Sequence, residues 1–100
     1  MKTRIRTTRP TVTTAAARLL TRNPARVAII FSNLGANNVS LDTLDTVTTA
    51  LGVQLDSSGG LVNIKKSDEG SLPTDEWYGI AGANQQIVIK EVIRTSKVDE

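Results

Sequence analysis

The chain has no cysteine and no histidine. Disulfides and thiolate metal sites are therefore excluded. The usual proton shuttle and the strongest side-chain nucleophile are missing as well, and the expectation is a protein that is not an enzyme and carries no cofactor. Only Phe31, Trp77 and Tyr78 are aromatic among 100 residues. A core must come from Val, Ile, Leu and Ala instead, and their β-branched share favours strands. No run approaches the roughly 20 apolar residues of a membrane-spanning helix, and Met1–Thr14 lacks the apolar centre of a signal peptide. The expectation is one compact domain with no membrane partner, made in a cytoplasm and kept there or packed into a particle assembled there.

Acids are absent where bases are dense. Lys2, Arg4, Arg6, Arg9, Arg18, Arg22 and Arg26 precede the first carboxylate, and the five remaining bases face all ten acids, so the net +2 is a basic head on an acidic body. Thr3, Thr7, Thr8, Thr11, Thr13 and Thr14 thread between these cations and Pro10. Residues 1–22 therefore read as an extended Thr/Arg-rich arm that buries little and is ordered only against something else. Lys2, Arg4, Arg6 and Arg9 are the candidate partner-binding residues, suited to carboxylates on a protein surface. Ile5 and Val12 are the only sizeable branched apolar side chains before residue 15, so removal of Met1–Thr14 is expected to leave the body folded.

The body, residues 23–95, reads as strands punctuated by turns. Asn23-Pro24 halts whatever precedes it, a short helical turn or a strand over Ala15–Leu20. Arg26–Asn33 alternates with Val27, Ile29 and Phe31 on one face, while Ala28 and Ile30 keep the other face apolar. Gly35-Ala36-Asn37-Asn38 turns the chain and Val39–Leu41 returns as a short strand. Leu44, Val47 and Leu51 have helical spacing, but the Thr content favours a loop. Gly52–Leu55 and Leu61–Ile64 read as a hairpin closed by Gly59-Gly60. Lys65–Asp75 is a polar loop, Glu76–Ala81 a strand, and Gln86–Arg94 the last strand. In that strand Glu91 breaks the alternation, which predicts a bulge that turns it away from the core. Residues 96–100 read as a flexible tail. Short strands at this spacing predict an all-β antiparallel sandwich, jelly-roll-like, with an extended N-terminal arm.

Chemistry-bearing clusters are few. Asp42/Asp45 and Asp68/Glu69/Asp75/Glu76 lie in loops and lack the alternating Asp/Asn ladder of a calcium loop. Gly59-Gly60 lacks the lysine and the helix of a phosphate cradle. Nucleic-acid binding is the rival reading for the basic arm. Against it stand the acidic body and the scarcity of aromatic stacking platforms, since Trp77 and Tyr78 are neighbours on one strand and point to opposite faces.

Three segments in order carry a resemblance. Asn23-Pro24-Ala25-Arg26-Val27 through Asn33-Leu34-Gly35-Ala36-Asn37 resembles an NPxRVxLxxxNxGxxxV run. Gly52-Val53-Gln54-Leu55 with Gly59-Gly60-Leu61-Val62 resembles GxxLxxGGxLV, and Leu72-Pro73-Thr74-Asp75-Glu76-Trp77-Tyr78-Gly79-Ile80 resembles LPTxEWYAI. The set is similar to small virion proteins of tailed bacteriophages, and the similarity spans about residues 23–94. It implies a β-sandwich on the particle, a head decoration or cement protein at the capsid surface whose partner is the major capsid protein. A tail or head–tail connector module is the alternative. A symmetric homo-oligomer, with a trimer favoured, is the expected assembly. Asn23, Pro24, Phe31, Gly35, Gly59, Gly60, Pro73 and Trp77 read as fold-determining positions. The arm lies outside the similarity, so its attachment role rests on charge and extension alone.

Overall fold

The computed structural model describes residues 2–49, 52–65 and 72–96. It contains strands β1 (Lys2–Thr8), β2 (Thr11–Val12), β3 (Ala17–Leu20), β4 (Arg26–Asn33) and β5 (Val39–Asp42). After these come β6 (Val53–Leu55), β7 (Gly60–Lys65), β8 (Trp77–Ala81), β9 (Gln85–Gln86) and β10 (Val88–Ser96), with a 3-10 turn at Leu72–Thr74 before β8. All strand pairs are antiparallel. One sheet has the order β1-β10-β4-β7, a second β3-β8-β5-β6, and β2 pairs with β9 between them.

The core is the space between the two four-stranded sheets. Ile29, Phe31, Ile64 and Ile89 reach in from the first sheet, and Leu20, Val39, Leu41, Leu55 and Trp77 from the second. Phe31 and Trp77 meet across that space with ring centroids 5.3 Å apart, a tilted pair that adds to their area burial. The all-β antiparallel expectation therefore holds, and the strand order is that of a jelly roll, in which the chain wraps back and forth between two sheets.

That wrapping corrects several local expectations. Residues 53–55 and 60–65 do not form a hairpin: β6 pairs with β5 in the second sheet and β7 with β4 in the first. The Gly59-Gly60 turn instead carries the chain across the core. The Gly35–Asn38 turn also changes sheets, from β4 to β5. Among these strands only β5 and β6 are paired sequence neighbours, because a turn closes a hairpin only when both flanking strands seek the same sheet.

The boundary between an arm ending at residue 22 and a body starting at 23 is also corrected. Residues 2–22 are extended, but they supply β1, β2 and β3, each hydrogen-bonded to a strand of the body. β1 runs along β10 from Thr8↔Ile89 to Lys2↔Ser96. Ala15–Leu20 resolves as a strand over Ala17–Leu20. Val12 is fully buried, and the backbone amides of Ala81 and Ile87 donate to the carbonyls of Thr13 and Pro10. Ser96, expected to begin the tail, is paired in β10; Leu51, Asp68, Glu69 and residues 97–100 lie outside the described residues.

Two further corrections lie on the β4–β10 pair. Val27 does not share the inward face with Ile29 and Phe31: an irregularity opposite Val92/Ile93 makes Val27 the extra residue and turns Arg26 inward. Glu91 is not turned away either. It faces the core with Ile89 and Ile93 and is as buried as they are.

Candidate functional site

Asn23-Pro24 forms a turn with two closures. The Asn23 side-chain oxygen accepts from the Ala25 amide at 3.0 Å, and its carbonyl accepts from the Arg26 amide at 3.1 Å. Pro24 sits between them, its fixed φ suited to that position. The turn delivers Arg26 into the interior, where it is 1% exposed. There its guanidinium donates four times: Nε to Pro73 O at 2.6 Å, Nη1 to Glu91 Oε1 at 2.7 Å, and Nη2 to Thr21 O at 3.0 Å and Asp75 O at 2.8 Å. One side chain thus ties the end of β3, the start of β4, the 3-10 turn and β10 together. Pro73 is buried at this junction, and Trp77 Nε1 donates to Leu72 O at 3.0 Å beside it.

Glu91 completes the cluster. Its second oxygen accepts from Arg6 Nε of β1 at 3.0 Å, so a carboxylate that is 1% exposed bridges two arginines. A buried carboxylate with no cation would be very costly; with two charge-assisted bonds it is held. Arg6 is therefore used within the molecule, although its side chain stays 53% exposed.

A second polar hub sits at the other end of β4. Asn33 is fully buried; its Nδ2 donates to the carbonyls of Asn37 at 2.8 Å and Leu55 at 3.1 Å, and its Oδ1 accepts from the Gly35 amide and Gln85 Nε2. Gln85 also pairs with both backbone groups of Asn37. Gly35 leaves room for this contact, since a Cβ there would lie 2.9 Å from Gln85 Oε1 and push the amide off its partners. Gly59 and Gly60 are required by the crossover: Gly59 has φ +109°, and a Cβ on Gly60 would overlap the Asp56 carbonyl oxygen. Asn23, Phe31, Gly35, Gly59, Gly60, Pro73 and Trp77 thus each serve the scaffold.

The remaining charges are on the surface and segregated. Arg4 and Arg6, opposite Ile93 and Glu91, project from the same side of β1 and are exposed, and Arg9 follows the strand. Lys2 starts β1. Arg4 and Arg9 make no ion pair among the described residues. Arg9 lies with Leu34, Gly35 and Val88 in a shallow cleft of about 350 Å³. Lys90 and Arg94 project from the outward face of β10, opposite Thr7 and Thr3. The described acids other than Glu91 sit on the second sheet or on loops, with Asp42 beside Tyr78 and Glu76 3.4 Å from Arg18. β1 and β7, the two edges of the first sheet, have no further strand partner among the described residues.

Of the four arm cations expected to bind a partner, the structure commits Arg6 to Glu91 and leaves Arg4 and Arg9 exposed. Sequence reasoning gave no site role to Arg26, Asn33 or Gln85 and turned Glu91 away from the core. One signal was available: Glu91 stands in phase with Ile89 and Ile93, which calls for a buried cation as much as for a bulge. Comparison with family models, curated proteins and solved structures finds no match to this chain.

Proposed function

We propose that this chain is a capsid decoration protein, a cement subunit that binds the outer shell of a tailed-bacteriophage head and stabilises it. The observation that supports this best is the charge layout around one open-edged sheet: Arg4, Arg9, Lys90 and Arg94 surround the β1 side of a rigid body whose framework residues are buried. The resemblance of the three segments points the same way. They fall on β4, on β6–β7 and on the 3-10 turn with β8, the parts that Arg26, Asn33 and the Phe31–Trp77 pair lock together.

The mechanism is mechanical. Each copy contacts shell subunits through weak, partly ionic contacts, and an oligomer links several such contacts so that the local concentration of each rises. Whatever binds only the closed shell shifts its equilibrium toward that state. A trimer at a local symmetry axis fits this scheme. A ring needs two unlike surfaces per subunit, and the first sheet has two unlike edges, β1 and β7. Nucleic acid is a poorer partner: Phe31 and Trp77 are buried, which leaves Tyr78 as the single aromatic side chain on an outward face, too few for a stacking platform.

The test is copy number and rebinding. Purified particles should carry the protein at a stoichiometry matching the shell lattice, and heads made without it should take up added protein and resist heat or chelation better. A handful of copies at one vertex would assign it to the tail or connector instead.

A further inference from the structure

We propose that the outward face of the β1-β10-β4-β7 sheet is the docking surface, and that the partner patch it covers is apolar and ringed by carboxylates. This deepens the capsid reading and rests on it. Directly opposed residues of antiparallel strands share a face, so the register assigns the surface row by row. Ile5, Val92, Ala28 and Lys65 form one outward row; Thr7, Lys90, Ile30 and Asn63 the next; Val88, Ser32 and Leu61 the third. Ile5 is 64% exposed and Leu61 63% exposed, at opposite corners, with half-buried Ile30 between them. A sheet face of a sandwich is ordinarily polar on its solvent side, whereas six of these eleven positions, Ile5, Val92, Ala28, Ile30, Val88 and Leu61, are apolar.

Charge decides the occupant. Lys90 and Arg94 stand on or beside these rows, and no acid among the described residues does, since Glu91 points inward. Packing this face on its own copy by a two-fold axis would bring two cationic patches together with no acid among the described residues to offset them. A carboxylate-ringed partner removes that repulsion and speeds encounter. Size decides the mode. The rows span about 14 Å across four strands and about 13 Å along them, a face of roughly 200 Å² in all, against about 800 Å² per partner in a stable pairwise complex. One copy alone therefore binds weakly, and the face becomes effective where linked copies engage a repeating surface.

The experiment uses the full chain and heads prepared without it. Wild type, Ile5→Asp, Leu61→Asp, Lys90→Glu/Arg94→Glu and Leu44→Asp, an exposed apolar residue away from this sheet, are titrated onto heads at two salt concentrations, with circular dichroism and sedimentation on each. The expected result is at least a tenfold loss of affinity for the two face aspartates, loss of salt dependence for the double charge reversal, and wild-type binding for Leu44→Asp. Wild-type binding by both face aspartates would overturn the inference while leaving the capsid reading intact. An oligomer of the free protein that Lys90→Glu/Arg94→Glu alters, both residues lying on the central strand β10 and not on an edge, would overturn it in favour of a second copy. A mobility shift of duplex DNA abolished by Lys90→Glu/Arg94→Glu would overturn it in favour of nucleic acid. Failure of the wild-type protein to bind heads refutes the capsid reading itself.

Discussion

Replacing Glu91 with Gln keeps the side chain's size but removes the only charge opposing Arg26 in the interior. The Arg26–Glu91 bond is 2.7 Å long and both side chains are 1% exposed, so water cannot take the carboxylate's place. The new amide also turns a donor toward either Arg26 or Arg6, where Glu91 accepted from both. Breaking one side of a buried pair costs about 3–5 kcal/mol. A domain of this size is stable by about 5–15 kcal/mol in total, and each kcal/mol moves its Tm by about 4–8 °C. Thermal unfolding followed by circular dichroism should therefore show Tm lowered by roughly 12 °C or more. Arg6→Gln is the control: its side chain is half exposed, such a pair is worth about 0–1 kcal/mol, and the melt should shift by only a few degrees. Arg26→Met/Glu91→Met removes both charges. It should remain destabilised, because the buried Pro73 carbonyl loses its donor, a loss of about 1–3 kcal/mol. Glu91→Gln melting within about 3 °C of wild type, less than 1 kcal/mol, would refute the reasoning that this cluster fastens the first sheet to the 3-10 turn.

Phe31→Ala removes a fully buried ring and its contact with Trp77; urea titration should show a loss of about 3–5 kcal/mol, and a smaller change than half of that would mean the core collapses to fill the gap. Deleting residues 2–14 takes away β1, the buried Val12 and the Arg6 bond to Glu91; contrary to what composition leads one to expect, the truncated protein should aggregate or melt far earlier, which light scattering during a thermal ramp would read, whereas truncation before Ile5 should change little. Gly60→Ala forces a methyl group into the Asp56 carbonyl oxygen at the sheet crossover and should cost more than the roughly 1 kcal/mol ordinary for a Gly→Ala change at an unsuitable φ, while Ala at Gly82, where a Cβ meets nothing within 4 Å, should be neutral by the same unfolding assay.

Several features were legible before any coordinates. The alternation of Ile29 and Phe31, the turn chemistry at Asn23-Pro24 and Gly35, and the β-branched share determine strands and their ends, because these depend on neighbours one to four residues away. The same local logic picked out Phe31, Trp77, Pro73 and Gly60. Which strand lies beside which was not legible. Register is a matter of long-range pairing, and only the closed sandwich sends β6 and β7 to different sheets and lays the N-terminal residues along β10. The role of each charge was decided at the same level. By sequence Arg6 and Arg26 belong to one basic stretch and Glu91 to an acidic body; in the fold the three meet in one cluster, because antiparallel pairing brings residues 85 positions apart within hydrogen-bond reach. Sequence alone determines how much charge and apolar surface the chain carries, and tertiary structure decides which of it is buried in pairs and which is left facing outward.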